Sequence, residues 1–485
     1  MIKMDIKVYN THITLSPYYR TGDENDNSLP IIEEMYTAIG AFDQQPFPCG
    51  YMIEQNVLYV PRGTPISKLE QLTGSKAIYI DESDPSEEIF KEAEAIYKPR
   101  NHLQEESIKF LTNSGNHQLS LNLKTGYGKS FCVAAAITKL NKKAIIILPN
   151  NGLKYQWMDD TFIGMFTYQK SQLMDIAGSQ IIDDIMEDNI EPRDIYFVTH
   201  ATLRNYMNEH GGYALGQFFK KLKVEIKVYD ESHMEFSNII NIDHYTNTNR
   251  TWYLTATFDR SDKSESACFK RGFANVEDFG GIESHRLSVK HVLYHVVNIN
   301  SRPTRKEMGK LMGWGGFTSI KYGRHAFFTD PKQTCYRVIE MLCDKVKDID
   351  GKTLIFTPLI ESCDLVAEKL KKKFPEKRIA VYHSKADSDD RKHAFEKDII
   401  VTTIKSCGTG KDIKDLRTVI SAEPYASKNI AAQAMGRLRN REDKKDTLYF
   451  DIVDIGIPAE NWWLRARMKV ISTLAKEVIY LNMDE

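Results

Sequence analysis

Cysteine is scarce in this chain. Seven residues among 485 (Cys49, Cys132, Cys268, Cys335, Cys343, Cys363, Cys407) are odd in number and scattered, with no CxxC pair. That excludes a disulfide scaffold, offers no zinc pattern and fits a reducing cytoplasm. Long apolar runs are also missing. The longest, such as Ala144–Pro149, fall far short of the ~20 residues that a membrane-spanning helix needs, so no membrane partner is expected. Met1–Asn10 alternates charged and apolar residues and lacks the apolar stretch of a signal peptide. There is no low-complexity tract and no short-period repeat. Neither sign of charge dominates, since 65 Lys+Arg face 66 Asp+Glu for a formal charge of −1. Holding nucleic acid by bulk charge is thereby excluded. What is present is 42% apolar and 27% charged residues, enough to bury a core in each of two to four domains of roughly 100–200 residues.

The balance of charge is uneven along the chain. Residues 1–100 hold 9 Lys/Arg and 16 Asp/Glu, a net of −7, and the remainder holds 56 and 50, a net of +6. Arg286–Arg324 is the sharpest excess, with eight cations (Arg286, Lys290, Arg302, Arg305, Lys306, Lys310, Lys321, Arg324) against Glu307 alone. A solvated face reads the same way. Between about 118 and 262, short apolar runs alternate with helical stretches: Leu119–Leu123, Ala144–Leu148, Ile195–Val198, Val224–Tyr229 and Trp252–Leu254 read as buried parallel strands. The alternation repeats with Thr353–Phe356, Ile379–Tyr382, Ile399–Thr402, Thr418–Ile420 and Thr447–Asp451. Two successive runs of β/α alternation predict two α/β domains with parallel sheets. The acidic start suggests a separate module ending near residue 95.

Thr125-Gly126-Tyr127-Gly128-Lys129-Ser130 follows the first of these strands and opens the apolar stretch Phe131–Leu140. Strand, glycine-rich turn and helix in that order form a phosphate loop. Backbone N–H groups turn inward at Thr125, Gly126 and Gly128, the helix N-terminus favours an anion, Lys129 reaches the β/γ-phosphates and Ser130 binds Mg²⁺. The usual first glycine is Leu123 here, so the standard pattern does not match, and an ordinary Gly-rich turn is the competing reading.

The second strand end decides between them. Asp230-Glu231-Ser232-His233 follows Val224–Tyr229, 101 residues after Lys129. Phosphoryl transfer to water needs a carboxylate near Mg²⁺ and a base that aligns the water. Asp230 suits the metal and Glu231 the water. Open α/β sheets bind ligands at strand C-termini, which brings both loops to one crevice.

These residues resemble the superfamily-2 helicases and translocases, and the likeness continues in order along about 360 residues. Arg100–Leu111 with Gln104 resembles the family's adenine-reading glutamine motif. Leu148-Pro149 with Leu153 and Gln156-Trp157, Val198-Thr199-His200, and Leu254-Thr255-Ala256-Thr257 resemble motifs that contact nucleic acid or link it to the ATP state. Further on, Leu354-Ile355-Phe356-Thr357, Tyr382-His383-Ser384, Ile400-Val401-Thr402-Thr403, Gly408-Thr409-Gly410-Lys411-Asp412 and Gln433-Ala434-Met435-Gly436-Arg437 resemble the motifs of the second domain. Within the family the DESH tetrapeptide, the GTG-x-D form and the modest length look most like compact viral and phage members. These include branch-migrating helicases of the UvsW kind and the poxvirus transcript-release helicase.

The resemblance implies an α/β fold: two RecA-like parallel-sheet domains in tandem behind a small N-terminal accessory domain. The expected boundaries are 1–95 for the accessory domain, 96–262 and 326–460 for the two motor domains, 263–325 for a basic linker or clamp, and 461–485 for a C-terminal helix. It implies ATP and Mg²⁺ as cofactors. Lys129, Ser130, Asp230 and Glu231 would serve in the first domain, with Gly410, Asp412 and Arg437 supplied across the cleft. Arg437 would be the arginine finger and Gln433 would help position water. The family's second arginine falls at Asn440, between Arg439 and Arg441, of which Arg439 is taken as the nucleotide contact.

Expected contacts to the nucleic-acid backbone are Asn150, Gln156, Thr199, Thr357 and Thr403, although such residues also cap helices and turns. Trp157 reads as core before stacking platform, and His233 as a bridge from ATP site to track or as a core histidine. In the basic stretch Lys306, Lys310 and Lys321, near Trp314 and Tyr322, would form a clamp on duplex DNA. The implied activity is an ATP-dependent DNA helicase remodelling forked or branched DNA in recombination, repair or replication, phage-encoded and acting in the host cytoplasm. Left open are single-stranded DNA or RNA as substrate, an RNA helicase, and a motor subunit of a nuclease or transcription complex docked through the acidic N-terminal module.

Overall fold

A computed structural model describes residues 3–39, 45–123, 127–233, 235–255, 263–279, 290–313, 316–387, 393–407, 413–438 and 445–483. The chain divides into two compact units, Met1–Arg286 and Leu287–Glu485.

The first unit begins with a small mixed sheet. Its strands are Asp5–Val8 (β1), His12–Ser16 (β2), Met52–Glu54 (β5), Val57–Pro61 (β6) and Ala77–Tyr79 (β7), in the order β5-β6-β2-β1-β7, beside the pair Thr37–Ile39 (β3) and Pro46–Pro48 (β4). A seven-stranded sheet follows, built from Gln118–Asn122 (β8), Ala144–Leu148 (β9), Leu173–Ile176 (β10), Ile195–Thr199 (β11), Ile226–Tyr229 (β12), Arg250–Thr255 (β13) and Glu277–Phe279 (β14). Its order is β10-β11-β9-β12-β13-β8-β14 and every pairing is parallel. β9 is buried at all five positions, as a strand covered on both faces requires.

The N-terminal module expected to stand apart is fused to this sheet. One apolar core runs from Ile6, Leu15 and Val60 to Ile145, Val198 and Tyr253. A buried polar network lies at the same seam. The Lys227 ammonium pairs with Asp243 at 2.6 Å, and Tyr229 and Tyr253 each donate to Asp243 at 2.7 Å. Thr11 donates to the Asp243 carbonyl at 3.0 Å, and Gln118 to Tyr253 at 2.8 Å. Burial pulls the Lys227 ammonium down from its ordinary pKa, opposed by Asp243. Burial also holds His244 near a pKa of about 3, so that ring stays neutral. A buried ion pair of this kind fixes partners, since removing one leaves an uncompensated charge.

The second unit repeats the plan with Val292–Ile299 (β15), Lys352–Phe356 (β16), Ile379–Tyr382 (β17), Ile399–Thr402 (β18), Leu416–Ser421 (β19), Thr447–Asp454 (β20) and Glu477–Asn482 (β21). The order is β17-β18-β16-β19-β20-β15-β21, again all parallel. The segment 263–325, expected as an interdomain linker, is divided between the units. Lys263–Gly272 is a helix followed by β14 in the first sheet, and β15 lies between β20 and β21 in the second. The apolar alternation of Val292–Ile299, with five buried positions, is a motor strand's pattern. The C-terminal segment is a helix only over Pro458–Leu474, after which β21 pairs with β15.

Candidate functional site

The helix Lys129–Leu140 starts directly after Gly128, which adopts φ 81°. A side chain there would be strained, and its Cβ would lie 2.6 Å from Gln104 Nε2. Gln104 is 1% exposed and sits in the first turn of the helix His102–Asn113, capped by Asn101 accepting from the Gln104 N–H at 3.0 Å. Its Oε1 accepts from the Arg100 N–H and its Nε2 donates to the Tyr127 carbonyl, both at 2.8 Å. The glutamine thus braces the loop, and its amide keeps one N–H and one lone pair for a ligand. Lys129 Nζ donates to the Leu123 carbonyl at 2.8 Å, bending over the loop where a phosphate's oxygens would take the bond. Thr125 and Gly126 lie outside the described residues.

Asp230 and Glu231 follow β12, both nearly buried. Asp230 accepts at Oδ2 from Trp157 Nε1 (2.8 Å) and at Oδ1 from the Glu231 N–H (2.9 Å). Burial and the adjacent Glu231 charge push the Asp230 carboxyl up to about 6, against Trp157 and the Lys129 charge, which draw it down. Glu231 takes φ 49°, the left-handed region that a glutamate enters at a cost. Its buried Oε2 has no hydrogen-bond partner among the described residues. Two carboxylates held together in a buried place suit a divalent cation. Mg²⁺ in particular takes only one or two protein carboxylates, with phosphates and water completing its shell. The residues present therefore fit ATP and Mg²⁺.

His233 continues the line. Its Nδ1 lies 3.5 Å from Glu231 Oε2 and is hydrogen-bonded to Thr255 Oγ1 at 3.1 Å. It thereby joins the end of β12 to the end of β13. Ala256 and Thr257 lie outside the described residues.

Trp157 is 1% exposed, a core residue, and it is also the functional partner that residue-by-residue reading missed. It lies in a π-helical stretch, Gln156–Ile163, a conformation concentrated at functional positions. The parallel pairing of β9 with β12 brings the segment after β9 beside the end of β12. The signal that could have found it was strand order.

Three of the five polar groups expected on a nucleic-acid track accept from a helix-start N–H. Asn150 accepts from the Leu153 N–H at 3.0 Å, Thr199 from the Thr202 N–H at 3.2 Å and Thr403 from the Ser406 N–H at 3.0 Å. Thr357 donates to the Leu359 carbonyl at 3.3 Å. Gln156 Oε1 is buried with no hydrogen-bond partner among the described residues. Lys306 and Lys310 are exposed on the helix Arg305–Met312. Lys321 instead donates to the carbonyls of Gly313 (3.2 Å) and Gly316 (2.6 Å), so its ammonium holds a loop closed. Tyr322 is buried and Trp314 lies outside the described residues.

In the second unit Gln433 lies in the helix Lys428–Gly436, and the buried Arg437 comes immediately after it. Gly410, Asp412, Arg439, Asn440 and Arg441 lie outside the described residues.

The family model described as "Type III restriction enzyme, res subunit" matches residues 91–260. The one described as "Helicase conserved C-terminal domain" matches 337–441. Among curated proteins, transcript termination protein A18 of Yaba monkey tumor virus (strain VR587) is 21% identical over 337 residues, covering 66% of this chain. The match spans 64% of that relative's length. Among solved structures, S. cerevisiae Dbp5 bound to RNA and ADP BeF3 is 15% identical, over 80% of this chain and 91% of that one, with a TM-score of 0.57. T4 UvsW is 16% identical over 99% of this chain and 100% of that one, with a TM-score of 0.35. At these identities the structural likeness speaks to fold alone, and it rests on Dbp5.

Proposed function

The chain is a superfamily-2 helicase, whose domains imply a nucleic-acid-dependent ATPase, and we propose that it couples ATP hydrolysis to movement on, and remodelling of, branched DNA. The observation that carries this reading is the continuous line from the Asp230–Glu231 pair through His233 to Thr255. It ties the carboxylates of hydrolysis to a strand end expected to sense the track.

When bound, ATP and Mg²⁺ supply the γ-phosphoryl group and the charge that offsets it. Lys129 exchanges its bond to the Leu123 carbonyl for phosphate oxygens. Thr125, Gly126 and Gly128 would offer backbone N–H groups, and Ser130 and Asp230 would hold the metal. The Trp157 hydrogen bond would hold the Asp230 carboxylate in place for that role. Glu231 takes the proton of the attacking water, positioned with the help of Gln433. Gln104 reads adenine with the donor and acceptor that its loop contacts leave free. From the second unit Gly410, Asp412 and Arg439 add nucleotide contacts. Arg437 supplies the charge that stabilises the transition state, an effect of about 10³–10⁵ in rate. The strand-end groups Asn150, Gln156, Thr199, Thr357 and Thr403, with Lys306 and Lys310, meet the phosphate backbone, whose contacts carry no sequence information. The DESH tetrapeptide and the restriction-enzyme description of the first family favour DNA, and a phage or viral source suits the compact length. A motor serving a transcription complex is the second reading, favoured by the name of the viral relative.

The test is ATP turnover with no nucleic acid, single-stranded DNA, duplex DNA, four-way junctions and RNA, with Lys129→Ala as the blank. Junction DNA is expected to stimulate most. Stimulation by RNA alone would sink the DNA reading.

A further inference from the structure

The seam between the N-terminal sheet and the first motor sheet brings two cysteines together from distant parts of the sequence. Cys49 directly follows β4, and Cys268 lies in the helix Lys263–Gly272 between β13 and β14. Both meet the same short segment. The Cys49 N–H donates to the Tyr36 carbonyl at 2.8 Å, and the Cys268 sulfur lies 3.8 Å from the Met35 and Thr37 carbonyls on either side. The two thiols are in hydrogen-bond contact with each other, and Ser237 Oγ lies 3.7 Å from the Cys49 sulfur. With its proton on, Cys268 can turn its S–H to the carbonyls; with the proton gone, it accepts from Cys49. Among the described residues no group of three His, Cys, Asp or Glu side chains could hold a metal ion. The pair is left with the chemistry of two thiols.

The backbone around them is held close. The Gly63 N–H donates to the Gly272 carbonyl at 3.2 Å, and a Cβ on Gly63 would lie 2.4 Å from the Arg271 carbonyl. Only glycine permits that approach to the helix end. Arg271 Nη1 donates to the Met35 carbonyl at 2.8 Å. The helix and the segment before Cys49 are therefore tied together beside the sulfurs, which keeps the thiols facing.

This pair differs from the other thiols. Burial pushes Cys132, Cys343 and Cys363 up to about 12, and Cys335 likewise up, so each keeps its proton and is inert. Cys268 moves the other way. The Cys49 hydrogen bond draws it below the ordinary thiol value against the effect of burial, with the Arg271 charge assisting. The thiolate is the form that attacks an oxidant. Cys49 and Cys268 are only 3% and 1% exposed, which shuts out bulky reagents and favours one scarcely larger than water.

We propose that Cys49 and Cys268 are a redox modification site, at which hydrogen peroxide drives a disulfide that fastens the N-terminal sheet to the first motor sheet. Cys268, having given its proton to solvent, attacks one peroxide oxygen. The O–O bond breaks, a sulfenic acid forms on Cys268, and the leaving hydroxide takes the Cys49 proton as water. The Cys49 thiolate then attacks the Cys268 sulfur. The S–S bond forms and the second oxygen leaves as hydroxide, which the proton from solvent converts to water. Each sulfur gives up one electron and the peroxide takes both. A dithiol reductant reverses the step. The bond closes a long loop within the first unit, the case in which a cross-link restricts the unfolded chain most.

The experiment treats the folded full chain with hydrogen peroxide, blocks the remaining thiols in denaturant and maps peptides by mass spectrometry before and after dithiothreitol. The expected product is a linked Cys49–Cys268 peptide that is lost on reduction. A thermal unfolding midpoint should rise by several degrees in the oxidised chain and return with reductant. Cys49→Ser should stop at the first step, with added oxygen on the Cys268 peptide, no linked peptide and no rise in the midpoint. Cys343→Ser should still form the link. Thermal unfolding in reductant is used to verify that each variant is folded. Peroxide that leaves both thiols free, that links them only in denaturant, or that links a different pair in the folded wild-type chain would overturn the proposal, results seen without any variant.

Discussion

Numbered from its own first strand, each of the two sheets runs three, four, two, five, six, one, seven. Equal strand ends can therefore be compared across the units. After the first strand, one unit carries the Gly128-Lys129-Ser130 helix start, whereas the other has Asn300-Ser301-Arg302, with the Ser301 N–H donating to Asp454 at 3.2 Å. At the end of the second strand stand Asn150 and Thr357, and at the end of the fourth Thr199 and Thr403, short polar groups in both units. After the fifth strand one unit has Asp230 and Glu231, and the other a single carboxylate, Glu423, which accepts from the Ile404 N–H at 2.8 Å. Burial pushes the Glu423 carboxyl up to about 7. The same topology thus supplies the same set of positions, and the side chains at the first and fifth strand ends differ between the units.

The sharpest way to break this asymmetry is at the fifth strand end of the first unit. Glu231→Gln removes the base while keeping shape, and turnover is expected to fall by about 10²–10⁴, the range of general base catalysis, in steady-state ATPase assays. Glu423→Gln should leave nucleotide turnover within a few-fold of wild type, and comparable losses in both variants would contradict the assignment.

Next in size is the seam between the N-terminal sheet and the first motor sheet. Asp243→Ala leaves the Lys227 ammonium buried and unpaired, and is expected to cost about 3–5 kcal/mol in chemical denaturation of that unit. Lys227→Met with Asp243→Leu should recover most of the loss.

Trp157→Phe tests the bond to Asp230. Loss of a partner that orients a metal ligand weakens metal dependence by about 10–100-fold, read as the Mg²⁺ concentration for half-maximal binding of a fluorescent ATP analogue. Unchanged Mg²⁺ dependence would make Trp157 a packing residue only.

The smallest effect concerns Glu423. Its folded pKa of about 7 lies above the unfolded value of about 4.3, so the folded state holds the proton more tightly. Its contribution is fully present at low pH and is lost as pH rises from about 4 through 7, a cost of roughly 1–3 kcal/mol. Glu423→Gln should flatten the fall of the melting temperature over that interval. Parallel profiles would show that the carboxyl is solvated.

How far the sequence carried this picture varied with the local chemistry. Ten strands of the two motor sheets stood out because each is a short apolar run covered on both faces, as β9 and β19 are throughout. The seventh strand of each sheet did not. Glu277–Phe279 is largely exposed, and Glu477–Asn482 alternates without a fully buried position, so neither leaves an apolar run to read. The N-terminal sheet is made of strands of three to five residues, too short for a periodic pattern, and its fusion to the motor core depends on contacts more than 100 residues apart, such as Thr11 with Asp243.

Lys129, Asp230 and Glu231 could be singled out in the sequence because phosphoryl-transfer chemistry demands particular residue types at strand ends. The Trp157–Asp230 bond could not, since it spans 73 residues and follows from sheet order. Charge alone also did not show that the Lys321 ammonium donates to the carbonyls of Gly313 and Gly316.

The proposed function turns on Arg437 stabilising the transition state of ATP hydrolysis. Single-turnover hydrolysis by Arg437→Ala tests it most directly, with a fluorescent ATP analogue used to verify binding. The account predicts binding within a few-fold of wild type and a hydrolysis rate lower by about 10³ or more. Hydrolysis at the wild-type rate would contradict it.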